Sequence, residues 1–235
     1  MDVRWITAFL DFDPADHERG TAFWSAVTGY AVSEPRGSHR EFTTLVPPDG
    51  DSYLKVQRLE EGPSRVHLDL HVDDPRRHAD RAVSRGAVET HAEDDFITLR
   101  SPAGLVFCFV DHAASTPPAP SRTSEGITSM ADQLSVDIPA ARWEGEREFW
   151  GGTFGVPIEY AGGTYAHIQV DSLPMRVILQ RLDDNPPAAR AHLDIDTNDR
   201  DAETARHEGL GATVVERGSD WTVLTDPTGL PYCIC

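Results

Sequence analysis

The sequence predicts an α+β protein made of two tandem copies of one module, each copy reading β-α-β-β-β twice. Three observations predict it. A series of motifs recurs in order: His67-Leu68-Asp69-Leu70 as His192-Leu193-Asp194-Ile195, Phe23-Trp24 as Phe149-Trp150, Gln57-Arg58-Leu59 as Gln180-Arg181-Leu182, and Ser101-Pro102-Ala103-Gly104 as Asp226-Pro227-Thr228-Gly229. Their offsets stay between 123 and 126 residues, which common turns and strands do not produce by chance. Short runs alternate polar and apolar residues with the period of a strand. A Pro-, Ser- and Ala-rich stretch, AASTPPAPSRTSE, separates the copies and reads as a semi-extended linker. The expected modules are therefore 1–113 and 126–235, joined by a linker at 114–125.

The elements follow in order. Ile6–Phe12 reads as a strand, and His17–Thr28 as a helix with Phe23, Trp24 and Val27 on one stripe and Gly29 as its C-cap. Strands are expected at Ala31–Glu34, Phe42–Val46 and Tyr53–Leu59, with Pro47-Pro48-Asp49-Gly50 turning between the last two. The pattern restarts with a strand at Val66–Val72 and a helix at Pro75–Arg85, where Asp74 is the N-cap and Pro75 takes the first helical position. Strands near Val88–Ala92, Phe96–Arg100 and Val106–Val110 close the first copy. The second repeats the order: strand Gln133–Ile138, helix Glu144–Phe154, strands Pro157–Tyr160, Tyr165–Val170 and Met175–Leu182, then strand Ala191–Asp196, helix Arg200–Glu208, and strands Thr213–Arg217, Trp221–Thr225 and Pro231–Cys235.

Composition narrows the function classes. A net charge of −18 argues against nucleic acid and against an anionic membrane surface, because both need clustered Lys and Arg. No apolar run approaches the ~20 residues of a membrane span, and the N-terminus lacks a signal-peptide pattern, so a cytoplasmic protein is expected. Three cysteines, Cys108, Cys233 and Cys235, do not make a disulfide framework. Of 21 basic residues only Lys55 is lysine, a bias that suggests a GC-rich bacterial gene. Phosphate-loop, serine-hydrolase and His-Glu-x-x-His motifs are absent from the sequence.

The stretches Gln57-Arg58-Leu59 through Arg65-Val66-His67-Leu68-Asp69-Leu70, their copies from Gln180 to Ile195, and the closing turns followed by Val106-Phe107-Cys108-Phe109 and Pro231-Tyr232-Cys233-Ile234 resemble the vicinal oxygen chelate superfamily. That group includes glyoxalase I, bleomycin-resistance proteins and extradiol dioxygenases; the resemblance is strongest to its glyoxalase-like branch. It covers almost the whole chain outside the linker and implies mixed sheets curled into cups. Metal-dependent members take ligands, mostly His and Glu, from the first, fourth, fifth and eighth strands. The fifth-strand His is matched by His67 and His192. The eighth-strand Glu falls on Cys108 and Cys233, the first-strand ligand near Thr7 and Gln133, and the fourth-strand Glu near Lys55 or Gln57 and near Gln180. Neither copy keeps the carboxylates. No tightly bound metal using the matched positions of both modules is therefore expected, and a divalent metal (Zn, Ni or Fe) would rest on His67 and His192 with unusual partners.

The residues can also be weighed directly. Alternation puts His67, Asp69 and His71 on one strand face and Leu68, Leu70 and Val72 on the other. The apolar face packs under the helices, so the polar face lines the concave side; His192, Asp194 and Asp196 repeat this. Each His is either a hydrogen-bonded pocket wall or a metal ligand completed by Asp69, Gln57 and Cys108 or their copies, a set suited to Zn. Cys108 and Cys233 are read as nucleophiles or, in their apolar strands, as small hydrophobes. Gln57 and Gln180 suit a neutral polar ligand or a backbone bond at a strand end. Trp24 and Trp150 are core anchors. Trp221, with Phe96 near its place in the first copy, is a pocket candidate. Two functions remain: a metal-assisted lyase, isomerase or dioxygenase acting on a small oxygen-rich molecule, or a cup that binds an antibiotic or other metabolite without turnover. No residue is assigned a catalytic role. Fusion lets the modules pair within one chain, with a homodimer as a further option.

Overall fold

The computed structural model describes residues 3–111, 116–123, 126–160, 163–168, 170, 172–183 and 186–235, the side chains of 159 and 160 aside. His112, positions 114, 115, 124 and 125 of the expected linker, and Gln169 of the expected Tyr165–Val170 strand lie outside them.

The elements in chain order are β1 (Trp5–Phe12), α1 (His17–Thr28), β2 (Ala31–Val32), β3 (Phe42–Val46), β4 (Leu54–Arg58), β5 (Arg65–Val72), α2 (Pro75–Ser84), β6 (Val88–Ala92), β7 (Phe96–Arg100) and β8 (Val106–Asp111). A short β9 (Ser121–Arg122) follows. The second copy comprises β10 (Thr128–Pro139), α3 (Trp143–Phe154), β11 (Glu159–Tyr160), β12 (Tyr165–Ile168), β13 (Arg176–Leu182), β14 (Arg190–Thr197), α4 (Arg200–Gly209), β15 (Thr213–Arg217), β16 (Thr222–Thr225) and β17 (Pro231–Ile234). One sheet runs β2-β3-β4-β1-β5-β8-β7-β6, and the other repeats the order as β11-β12-β13-β10-β14-β17-β16-β15. Both are mixed: β5–β8 and β14–β17 pair in parallel, while the flanking hairpins are antiparallel. The same bulge falls between Glu89 and His91 and between Val214 and Glu216.

Local chemistry explains the boundaries. Gly29 and Gly155 end α1 and α3 with φ of 71° and 65°, a conformation only glycine adopts freely, and each donates its N–H back into the last turn. Asp74 and Asp199 cap α2 and α4 by accepting from Arg77 N and Ala202 N at 2.9 and 3.0 Å. Two departures from expectation have local causes. The linker contributes a strand, because Ser121 and Arg122 pair with Ser129 and Thr128, and this extends β10 upstream of Gln133. β2 stops at Val32, short of Glu34, since the Ser33 hydroxyl accepts the Thr44 N–H at 2.9 Å in place of the backbone carbonyl.

The chain folds as two compact units. Unit 1 comprises Met1–Ala8, His67–Ser115 and Leu134–Ala191; unit 2 comprises Phe9–Val66, Thr116–Gln133 and His192–Cys235. Each thus combines the first half of one copy with the second half of the other. In unit 1, Trp150 of α3 stacks edge-on against Phe107 of β8 and Phe149, both at 5.1 Å. In unit 2, Trp24 of α1 meets Tyr232 of β17 at 5.2 Å. The repeat extends to ion pairs on buried aspartates: Arg65 Nε donates to Asp11 Oδ2 at 2.9 Å in unit 2, and Arg190 Nε to Asp137 Oδ2 at 3.0 Å in unit 1. None of the helices among the described residues is long and apolar enough to cross a membrane.

Candidate functional site

The parallel register of β5 and β8 sets Asp69 beside Cys108, and the antiparallel register of β7 and β8 sets Thr98 on its other side. Phe107 packs on Trp150 and Phe109 on His78, so these rings mark the face that meets the helices. Cys108 lies between them in sequence and projects to the opposite face. His67 and Asp69 share that face. Their imidazole, carboxylate and thiol donor atoms lie within 4.8 Å of one another, and all three residues are buried. His67 Nε2 stands 3.6 Å from Asp69 Oδ1, and Thr98 Oγ1 stands 3.4 Å from Cys108 Sγ. One step along the strand, His71 Nε2 is hydrogen-bonded to Thr7 Oγ1 at 2.9 Å.

Unit 2 rebuilds the cluster. β14 and β17 bring Asp194 beside Cys233, and His192, Asp194 and Cys233 again gather their donor atoms within 4.8 Å. Tyr232 turns toward Trp24 and His207, which leaves Cys233 on the far face. His192 Nε2 lies 3.2 Å from Asp194 Oδ1, and Gln133 Nε2 donates to Asp194 Oδ2. Gln133 therefore holds one carboxylate oxygen while the other faces the imidazole. Val223 occupies the place of Thr98, and Cys233 is half-buried where Cys108 is buried.

The other candidates have these surroundings. Gln57, opposite Phe42 on β4, lines a cleft in unit 2 with His39, Glu41 and Arg58. Gln180, opposite Tyr165 on β13, donates to the Tyr165 hydroxyl at 3.4 Å. Trp221 lies so close over Gly218 that a Cβ there would come within 2.7 Å of the indole. Trp24 and Trp150 are fully buried, and each indole N–H meets a carboxylate: Asp226 at 3.0 Å and Glu146 at 2.8 Å. Sequence reasoning did not single out the buried Glu203–Arg206–His207 group of α4, although Glu203 and His207 stand four apart, the spacing of one helix face.

Burial pushes the Cys108 thiol up, the Asp69 carboxylate adds to the shift, and hydrogen bonds from His67 and Thr98 oppose it. Cys235 is pushed up to about 12, by burial first and then by Asp194, Cys233 and nearby carboxylates. Thiols with raised pKa carry little thiolate at neutral pH. Iodoacetamide at pH 8 is expected to label the buried Cys108 about tenfold more slowly in the folded protein than in urea. Equal rates by peptide mass spectrometry would show that this thiol is not shielded.

A family model described as a glyoxalase-like domain matches residues 9–110 and again 133–235. Among solved structures, the chain is similar to a mutant of 4-hydroxymandelate synthase from Streptomyces coelicolor (TM-score 0.65, 16% identity, covering 100% of this chain and 92% of that one). It is similar also to a Mn(II)-bound glyoxalase from Novosphingobium aromaticivorans (0.64, 14%, covering 99% and 81%) and to 2,2',3-trihydroxybiphenyl 1,2-dioxygenase from Sphingomonas wittichii (0.63, 11%, covering 99% and 90%). At these identities the likeness concerns the fold. A search among curated proteins finds no match.

Proposed function

The chain belongs to the glyoxalase-like domain family of the vicinal oxygen chelate superfamily, and on that premise we propose that it binds a small oxygen-rich molecule against its polar sheet faces and acts on it with a divalent metal. His67, Asp69 and Cys108 would hold the metal in one unit, and His192, Asp194 and Cys233 in the other. The observation that carries this reading is the recurrence of one imidazole, one carboxylate and one thiol, within 4.8 Å of one another, on matching strands of both copies. The donor set fits Zn best, since Zn accepts nitrogen, oxygen and sulfur together and three protein ligands leave a position for substrate. A bound cation would supply Lewis-acid polarisation of neighbouring ligand oxygens.

The chain's own residues do the rest. Gln133 orients Asp194, as a partner behind a metal ligand does, and Thr98 holds the Cys108 sulfur. The setting we propose is a bacterial cytoplasm, where thiols stay reduced, with modules 1–113 and 126–235 on either side of the linker. A second reading, a cup that binds without turnover, is favoured by one observation: Cys108 and Cys233 stand where metal-dependent members of the superfamily carry a Glu ligand.

Chelator-treated protein titrated with Co²⁺ decides between them. Two ions per chain and a thiolate-to-metal charge-transfer absorption are expected, with Cys108→Ser and Cys233→Ser each removing about half of the band. No retained metal and no such absorption would discard the metal-assisted reading in favour of the binding cup.

A further inference from the structure

Within unit 1, α2 and the C-terminal turn of α3 border a cavity of about 270 Å³. His78, Arg81, Arg85, Phe109, Gly152 and Thr153 line it, and its lining holds no Asp or Glu. In a chain of net charge −18 that is unusual company for two arginines. Among the described residues, neither the Arg81 nor the Arg85 side chain has a hydrogen-bond or ion-pair partner. Thr153 is 8% exposed, and its Oγ1 is buried without a partner.

The repeat supplies an internal comparison. In unit 2 the place of His78 is taken by Glu203, that of Arg81 by Arg206, that of Arg85 by Leu210, and those of Gly152 and Thr153 by Ala26 and Val27. There the arrangement is complete: Arg206 Nη2 reaches Glu203 Oε1 at 2.6 Å and Val27 O at 2.8 Å, and Nη1 reaches Ala26 O at 3.2 Å. A carboxylate of the chain itself satisfies the guanidinium. Unit 1 keeps the arginine and has no acid in that place. It adds a second arginine, which lies over Gly152 so closely that a Cβ there would sit 2.8 Å from Arg85 Nε. It also presents a hydroxyl where Val27 has a methyl. With His78 neutral, the side-chain charge of the group changes from zero, in Glu203 and Arg206, to two positive charges, in Arg81 and Arg85.

We propose that this cavity is a binding site for a small oxyanion, a carboxylate or phosphate group, whose oxygens take the place that the Glu203 carboxylate holds in unit 2. Guanidinium forks match both groups in bidentate geometry, and the Thr153 hydroxyl supplies a further donor. Phe109 and Ala82 give the cavity an apolar wall, so the anion can carry a few carbon atoms. The site is distinct from the His-Asp-Cys clusters, and its test does not depend on whether they hold metal.

Thermal unfolding of the full chain is followed with sodium acetate, sodium phosphate or sodium chloride at matched ionic strength. The expected result is a saturable rise in Tm with acetate or phosphate over chloride, as a ligand of the native state produces. Arg81→Gln/Arg85→Gln, at two exposed positions, should lose that rise. His78→Glu, which returns the internal carboxylate, should unfold at a higher temperature without anion and gain nothing further from it. Two results overturn the proposal: no rise over chloride with either anion, or a linear, unsaturated rise that is equal in the double-glutamine variant, the signature of anions excluded from the surface. Should His78→Glu fail to fold, the double-glutamine variant still decides.

Discussion

Replacing Glu203 with Ala is expected to lower the unfolding free energy by about 3–5 kcal/mol, the usual cost of removing one partner from a buried ion pair. The Glu203 side chain is fully buried, Arg206 Nη2 reaches it at 2.6 Å and His207 Nε2 at 3.1 Å, and Arg206 also ties the last turn of α1 through the Ala26 and Val27 carbonyls. Removing the carboxylate leaves a largely buried guanidinium with the Ala26 and Val27 carbonyls and the His207 ring beside it. Urea denaturation measures the loss; a change below about 1 kcal/mol would mean the pair is no stronger than a surface ion pair. The same group sets an acid limit. Burial alone would raise the Glu203 carboxyl, but hydrogen bonds from Arg206, His207 and Ser129 outweigh it and hold the group well below its ordinary 4.5. A carboxyl whose folded pKa is depressed contributes stability that is fully present above its unfolded pKa and is lost as pH falls toward the folded value. Burial also lowers the pKa of His207, so protonating it below its ordinary 6.5 favours the unfolded chain as well. Stability should therefore fall from about pH 6.5 downward and more steeply below 4.5. In Glu203→Ala the steeper fall below 4.5 should flatten.

Replacing Trp150 with Ala should cost a similar 3–5 kcal/mol, through a cavity left between α3 and β8. Its ring is fully buried and touches Phe107, Phe149 and Phe154. The truncation also strips a donor from Glu146, a buried carboxylate that otherwise accepts from the Trp150 indole and from Ala103 N at 2.7 Å. Trp150→Phe separates the two effects. It keeps a six-membered ring in the core, loses the hydrogen bond and only part of the packing, and should cost about 1–3 kcal/mol. Equal losses in the two variants would place the whole effect in the hydrogen bond rather than in packing. The two units solve the same problem by different routes. In unit 2 the place of Glu146 is Gly20, where a Cβ would lie 2.4 Å from the Phe12 ring, and the Trp24 indole finds its carboxylate in Asp226 of the closing turn instead.

Much of this molecule was legible in the chain. The repeated motifs implied two copies of one order of elements, and the helix ends at Gly29, Asp74 and Pro75 follow from capping chemistry that acts over four residues. The pairing of His67 with Asp69 and of His192 with Asp194 on one strand face is likewise local, because side chains two apart on a strand must point the same way. The linker strand at Ser121–Arg122 was not legible, since a two-residue strand exists only through the partner that extends β10 to meet it.

What the sequence by itself determined is the set of faces: which side of each strand is polar, which stripe of each helix is apolar, and that both recur about 125 residues on. What only the tertiary structure decided is which distant faces meet. Cys108 stands 39 residues beyond Asp69, and nothing in the local pattern sets their register; the parallel pairing of β5 and β8 does so, and β14 and β17 do the same for Asp194 and Cys233. The compact units, each half of one copy with half of the other, are equally invisible in a repeat whose two copies lie end to end. That combination sets Arg206 against α1 and Arg81 in the cavity bordered by α3, and so makes the exchange of Glu203 for His78 a difference between a filled carboxylate place and an open one. Periodicity is a property of neighbours along the chain. Contact between elements 100 or more residues apart depends on the packing of whole helices and sheets, and no short window of sequence contains it.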